Sequence, residues 1–203
     1  HPGRLRPLVA GSIGPYGAYT ADGGEYRGNY GLSTAELVEF HRERIAILVE
    51  AGVDLIAFET IPDLHEAIAL CILLEAHPQV SAWMSFSCRG RTTCAGQSMQ
   101  HVAAKLAKYT QIHAIGCNCT SPAYIPDLIS DLRHATDLPI IVYPNSGEDY
   151  NAVSGTWHGT VTCDDYVAAA DDWYSAGATL IGGCCRTSPD TIRALRTHRW
   201  PNT

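Results

Sequence analysis

Six apolar runs recur along this chain: PLVAGSIG (7–14), VDLIAFET (53–60), SAWMSFSC (81–88), IHAIGCNC (112–119), PIIVYPNS (139–146) and ATLIGGCC (178–185). Each is the length of one strand, and each is nearly continuous in apolar residues instead of alternating. Strands of that kind are buried on both faces, as in a parallel sheet covered by helices. The intervening segments carry helix signals. In STAELVEFHRERIAILVEAG, Ser33 and Glu36 have the spacing of a capping box, Gly52 marks the stop, and Val38, Ile45, Leu48 and Val49 share the face that packs on the sheet. The same helix-to-strand junction returns as SAGATLIGG, with Gly177 in the place of Gly52. Alternating strand and helix predicts an α/β fold of repeated βα units, either an open doubly wound sheet or a (β/α) barrel.

No linker or low-complexity stretch divides the 203 residues, and 46% hydrophobic content is enough for one core, so a single domain over 1–203 is expected. A net charge of -7 leaves no basic stripe for phosphates, which argues against a nucleic-acid partner. No uncharged run is long enough to span a membrane and no signal-peptide pattern opens the chain, so a soluble, cytoplasmic protein is expected. The first residues, HPGRLRPLV, lack a methionine, as expected of a processed or truncated chain. The Gly/Tyr-rich segment 14–31 is the longest irregular stretch, and long loops after strands often carry function.

The chemically capable residues gather at strand ends. Ser12, Glu59, Ser87, Cys119, Asn145, Cys184 and Cys185 all fall at or near the C-terminal ends of the six runs, the rim where α/β folds assemble their sites. Two of these ends resemble each other: CNCTSP and GCCRTSP each lead from thiol through Ser-Pro into a helix, with Ser as N-cap and Pro at the first helical position. A helix N-terminus favours the thiolate over the thiol. Cys119, Cys184 and Cys185 therefore form a candidate zinc site with three protein ligands and an open fourth position; buried inert thiols are the competing explanation. Gly182 and Gly183 are expected to let the strand end turn two adjacent cysteines toward one ion. Eight cysteines in 203 residues are too sparse for a secreted disulfide scaffold, so reduced thiols are expected. Cys117, two residues before Cys119, is expected on the same strand face one layer deeper, as core. Cys71 also reads as core, and Cys88, Cys94 and Cys163 have no visible partner. For each of the nine histidines, a solvated or core position is the default.

Taken together, NCT (118–120), GGCCRT (182–187), GPYGA, DGGEYRGNY, FET and YPNSGE resemble the zinc-dependent homocysteine S-methyltransferase family, in particular its S-methylmethionine and S-adenosylmethionine branch. The resemblance implies a (β/α)8 TIM barrel of which this chain carries about six βα units, strands three to eight, without the first two. It implies zinc on Cys119, Cys184 and Cys185, with methyl transfer from a sulfonium donor to the thiol of homocysteine to give methionine. Glu59 matches the position that binds the amino group of homocysteine, against a strand-end salt bridge as the bland alternative. Asn145 either orients substrate or caps its loop, and Ser12 is a third candidate substrate contact set against a structural role. Tyr16, Tyr26 and Trp157 have the chemistry to face a sulfonium by cation–π contact, or simply pack their loops. Three other outcomes stay open: a betaine- or cobalamin-linked homocysteine methyltransferase, a truncated zinc-binding relative without turnover, and a redox protein using Cys184 and Cys185 as a vicinal dithiol. Two open sheet edges also leave room for an oligomer.

Overall fold

All six expected strands form, and they lie side by side in the order in which the chain makes them. The computed structural model describes residues 6–151, 156–159 and 161–199. Strands β1 (Ala10–Ile13), β2 (Leu55–Ile61), β3 (Ala82–Phe86), β4 (Ile112–Asn118), β5 (Ile140–Tyr143) and β6 (Ala178–Ile181) make one sheet whose spatial order equals its chain order. Every neighbouring pair is parallel. A doubly wound sheet must reverse direction at a switch point, whereas a barrel winds one way throughout. The absence of any reversal among the described strands decides for the barrel type of winding, with β1 and β6 at the two edges.

A helix follows each strand: α1 (Thr34–Glu50), α2 (Leu64–Glu75), α3 (Met99–Leu106), α4 (Ile125–Arg133), α5 (Cys163–Ala176) and α6 (Pro189–Arg199). The capping box of α1 is present, with the Ser33 side chain accepting from the Glu36 amide and the Glu36 carboxylate accepting from the Ser33 amide. Gly52 and Gly177 end α1 and α5 at φ of 77° and 116°, a conformation that a side chain disfavours. The buried stripe of α1 is Leu37, His41 and Ile45, with Val38, Leu48 and Val49 only partly buried beside it. His41 is thus a core histidine, held by Glu66 of α2 at 2.8 Å. Ser188 caps α6 by accepting from the Thr191 amide, but Ser121 starts only a 3-10 turn, Pro122–Tyr124, and makes no side-chain cap.

The strands alternate between two environments. Ser12, Glu59, Ser85, Asn118 and Tyr143 are hydrogen-bonded to one another and so share the concave face. Their neighbours Ile13, Phe58, Met84, Phe86, Cys117 and Val142 turn the other way into the layer beneath the helices and are fully buried. Burying each such side chain contributes about 1.5–3 kcal/mol, which makes this outer layer the main source of cohesion. Among the described helices, none is long and apolar enough to cross a membrane.

Candidate metal centre

The strands are shorter than the apolar runs suggested, and this moves the thiols into the loops that follow them. Cys119 lies one residue past β4 with φ of 47°, and Cys184 and Cys185 lie beyond β6. The left-handed turn at Cys119 takes it out of strand alternation. Cys117 therefore does not share its face, as strict period two had implied, but points into the helix-side core beside Cys88. Its role as a core residue stands.

The three sulfurs nevertheless meet. Those of Cys119, Cys184 and Cys185 all lie within 4.8 Å of one another. Cys119 and Cys184 bring their sulfurs into contact with their Cα atoms 5.6 Å apart, and Cys185 Sγ stands 3.8 Å from Cys119 Sγ. The contact joins residues 65 apart in sequence instead of the adjacent cysteines. A tetrahedral zinc site with Zn–S near 2.3 Å needs sulfurs about 3.8 Å apart, so the donor set and the Cys119–Cys185 separation suit that ion.

The loop after β5 binds both thiol-bearing segments through its backbone. Cys119 N–H donates to Tyr143 O (3.4 Å) and Asn145 N–H to Thr120 O (3.1 Å) on one side. On the other, Cys184 N–H donates to Pro144 O (2.9 Å) and Ser146 N–H to Cys185 O (3.0 Å). From behind, the buried Tyr166 hydroxyl of α5 reaches Pro144 O and Gly182 O. Of the two glycines, only Gly183 is required: a Cβ there would overlap the Thr187 hydroxyl and lie 2.7 Å from the Thr187 Cβ, while at Gly182 the nearest atom is an ordinary 3.4 Å away. Thr187 is folded back because its hydroxyl donates to Cys184 O.

Glu59 and Ser12 are side by side on the concave face within their strands, with Ser12 Oγ donating to Glu59 Oε1 at 2.5 Å. Tyr143 donates to the other oxygen, Glu59 Oε2, at 3.1 Å. From there the network continues through Ser85 to Asn118, whose amide bonds Thr60. Asn145 brings a buried Oδ1 with no hydrogen-bond partner among the described residues to the edge of the thiol cluster. Ser87 is structural, donating to Glu25 O at 2.6 Å and so holding the Gly/Tyr-rich loop down on the end of β3. Tyr16 packs within that loop against Tyr30 and Phe40, and Tyr26 is partly exposed above it. The side chain of Trp157 lies outside the described part. Cys71, Cys88 and Cys117 are buried, and burial pushes all three thiols up, Cys71 and Cys117 to about 12. Cys88 has a partner after all, Met99 Sδ at 3.8 Å, and Cys163 touches the Thr191 hydroxyl.

Sequence reasoning missed Tyr143 and Ser85, and met Asn118 only as a letter of a motif. The available signal was a polar side chain interrupting an apolar strand in phase with Glu59: Ser85 in SAWMSFSC and Tyr143 in PIIVYPNS.

Comparison with known proteins agrees with this geometry. Residues 3–198 match the family described as homocysteine S-methyltransferase. The homocysteine S-methyltransferase YbgG of Bacillus subtilis is 50% identical over 193 residues, covering 95% of this chain and 61% of that protein. The selenocysteine methyltransferase of Astragalus bisulcatus is 44% identical, covering 95% of this chain and 59% of that protein. The crystal structure of the Escherichia coli homocysteine methyltransferase MmuM in its metallated form superposes with a TM-score of 0.84 at 43% identity, covering 97% of this chain and 62% of that one. The chain thus spans less than two thirds of the length of these relatives.

Proposed function

The chain belongs to the homocysteine S-methyltransferase family, and from that premise we propose that it is the homocysteine-binding barrel unit of an enzyme that moves a methyl group from a sulfonium donor to homocysteine, with zinc on Cys119, Cys184 and Cys185. The donor in this reading is S-methylmethionine or S-adenosylmethionine, and the product is methionine. The observation that carries it is the convergence of three sulfurs from two strand ends within 4.8 Å, at the rim where the concave face also presents Glu59.

Bound zinc would supply a positive centre that keeps the acceptor's sulfur deprotonated near neutral pH. The residues of the chain do the rest. Glu59, a carboxylate already bracketed by two hydroxyl donors, receives the acceptor's ammonium. Asn145 Oδ1, buried without a partner among the described residues, accepts a hydrogen bond from substrate and is thereby satisfied. The braced loop after β5 fixes the thiol segments relative to Glu59, which sets the distance between sulfur and amino group that an acceptor must match. In the transfer the acceptor sulfur's electron pair forms the new S–C bond while the donor's C–S pair returns to the donor sulfur. No proton moves in that step, so no general base is needed. Anion and cation neutralise each other, and a water-poor mouth favours that change.

The test is methionine formation from homocysteine with S-methylmethionine, S-adenosylmethionine, betaine and methylcobalamin, before and after zinc is removed by a chelator. The reading expects turnover with a sulfonium donor, lost on chelation and restored by zinc. Turnover that survives complete zinc removal would overturn it. The Cys119–Cys184 contact favours one second reading, a redox dithiol built on those two residues and not on adjacent Cys184 and Cys185. Zinc-free protein with reversible thiol oxidation and no methyl transfer would select it.

A further inference from the structure

We infer that Tyr143 is a positioning residue for the acceptor's amino group: its hydroxyl, together with that of Ser12, holds the Glu59 carboxylate in the orientation that meets an ammonium. The inference rests on the reading of Glu59 given above and deepens it by naming what fixes the selectivity for an α-amino thiol.

The geometry is that of a carboxylate gripped at both ends. Ser12, from β1, donates to Oε1 at 2.5 Å, and Tyr143, from β5, donates to Oε2 at 3.1 Å. Rotating the carboxylate breaks both bonds, so its remaining lone pairs keep a fixed direction. The two donors come from opposite sides of β2, one from its neighbour and one from three strands away, so the grip also ties the rim together across the concave face.

The phenol is itself held. Trp83 Nε1–H donates to the Tyr143 oxygen at 2.9 Å, and the Ser85 hydroxyl lies 2.5 Å from it. The Trp83 ring stands edge-on to the phenol at 6.3 Å. An indole N–H can only donate, so the phenol oxygen accepts there and its own proton remains for Glu59 or Ser85. Ser85 has an acceptor for its proton in either case, the phenol oxygen or Asn118 Oδ1 at 2.7 Å. Nothing in this arrangement touches the methyl group, which is why Tyr143 acts through Glu59.

The test compares homocysteine with 4-mercaptobutanoate, the same acceptor without its amino group, on zinc-loaded wild type, Tyr143→Phe, Ser12→Ala and Glu59→Gln. Calorimetric binding and methyl-transfer kinetics are both read. Tyr143→Phe keeps the ring and removes one oxygen. It is expected to raise Kd and KM for homocysteine roughly tenfold or more, with the loss falling on KM and not on kcat, and to leave 4-mercaptobutanoate binding as in wild type. Ser12→Ala should shift the same selectivity from the other oxygen. Equal weakening of both acceptors would reduce Tyr143 to a structural role and overturn the inference. So would unchanged homocysteine binding in Tyr143→Phe while Glu59→Gln weakens it. If Glu59→Gln leaves the preference for the amino acid intact, the reading of Glu59 itself falls, and this inference with it.

Discussion

Asn118 grips Thr60 with both ends of its amide: Oδ1 accepts from the Thr60 backbone N–H at 2.7 Å, and Nδ2 donates to the Thr60 hydroxyl at 2.8 Å. Both residues stand beside the site, since Thr60 follows Glu59 and Asn118 precedes Cys119. Thr60 has φ of 62° and Cys119 φ of 47°, left-handed conformations that non-glycine residues, and β-branched ones above all, rarely adopt. One amide thus braces the irregular end of β2, directly after the candidate amino-binding carboxylate, against the turn that carries a candidate metal ligand.

Asn118→Ala removes both bonds, together with the one from the Ser85 hydroxyl to Oδ1, and leaves Thr60 in a costly conformation without support. The expected loss is about 1–3 kcal/mol of folding stability, read as a lower urea midpoint at unchanged m. Homocysteine affinity should fall alongside, because the irregular end of β2 that carries Glu59 is released. A variant as stable as wild type would show that the left-handed conformation of Thr60 does not depend on this clamp.

The sheet was legible because buried parallel strands write a continuous apolar signal, and chain order then needed only the absence of a reversal to give the winding. The thiol trio was legible because sulfur is chemically conspicuous. What stayed hidden was the network linking them. Tyr143 and Ser85 look like tolerated interruptions of a strand until register places Tyr143 opposite Asn118. Cys117 was put on the wrong face because a single left-handed residue, Cys119, resets the period of two, and no local sequence signal marks a cysteine for that conformation. Ser121-Pro122 and Ser188-Pro189 read alike, yet only Ser188 forms a side-chain cap, since Ser121 leads first into a 3-10 turn.

Gly183→Ala tests the turn that aims the adjacent cysteines. Its new Cβ would overlap the Thr187 side chain, which is held in place by its bond to Cys184 O. Relief requires moving either Thr187 or the Cys184 backbone. The expected result is weaker zinc binding, about tenfold or more in a competition titration with a chromogenic chelator. Gly182→Ala, with only an ordinary contact to Tyr143, should bind zinc much closer to wild type. Equal effects at both positions would refute the assignment of the close approach to Gly183.

The Gly/Tyr-rich loop carries its own acid sensitivity. The Asp22 carboxyl is held at about 2, below its ordinary 3.8, first by the Thr20 hydroxyl and then by Arg27, and it also accepts from the Gly24 amide. A carboxylate depressed on folding adds stability that is fully present above its unfolded value and is lost as pH falls through the folded one. The loop should therefore keep this contribution above pH 3.8 and lose it near pH 2. A carboxyl-detected NMR titration of Asp22 should find its midpoint near the lower value, with the Gly24 amide shift moving in step. A midpoint at the ordinary value would sink the prediction.

Zinc should divide the cysteines into two chemical classes. Cys71, Cys88 and Cys117 are shielded by burial, which keeps them protonated: with Cys71 and Cys117 raised from 9.0 to about 12, the folded state holds protons that the unfolded chain loses. Their contribution to stability is complete below the ordinary thiol value and is lost as pH climbs from 9.0 toward about 12. Near neutral pH they should resist a thiol reagent with or without metal. Cys119, Cys184 and Cys185 owe their protection to the ion instead, so reduced, zinc-free protein should expose them to the reagent and zinc should shield all three together. Cys119→Ser, which removes one of three donors, should abolish stoichiometric zinc while leaving the buried class unreactive. Protection of only two of the three by zinc, or zinc retained at one ion per chain in Cys119→Ser, would break the shared-ion arrangement, because a site that keeps its metal without Cys119 cannot depend on the convergence of the two strand ends.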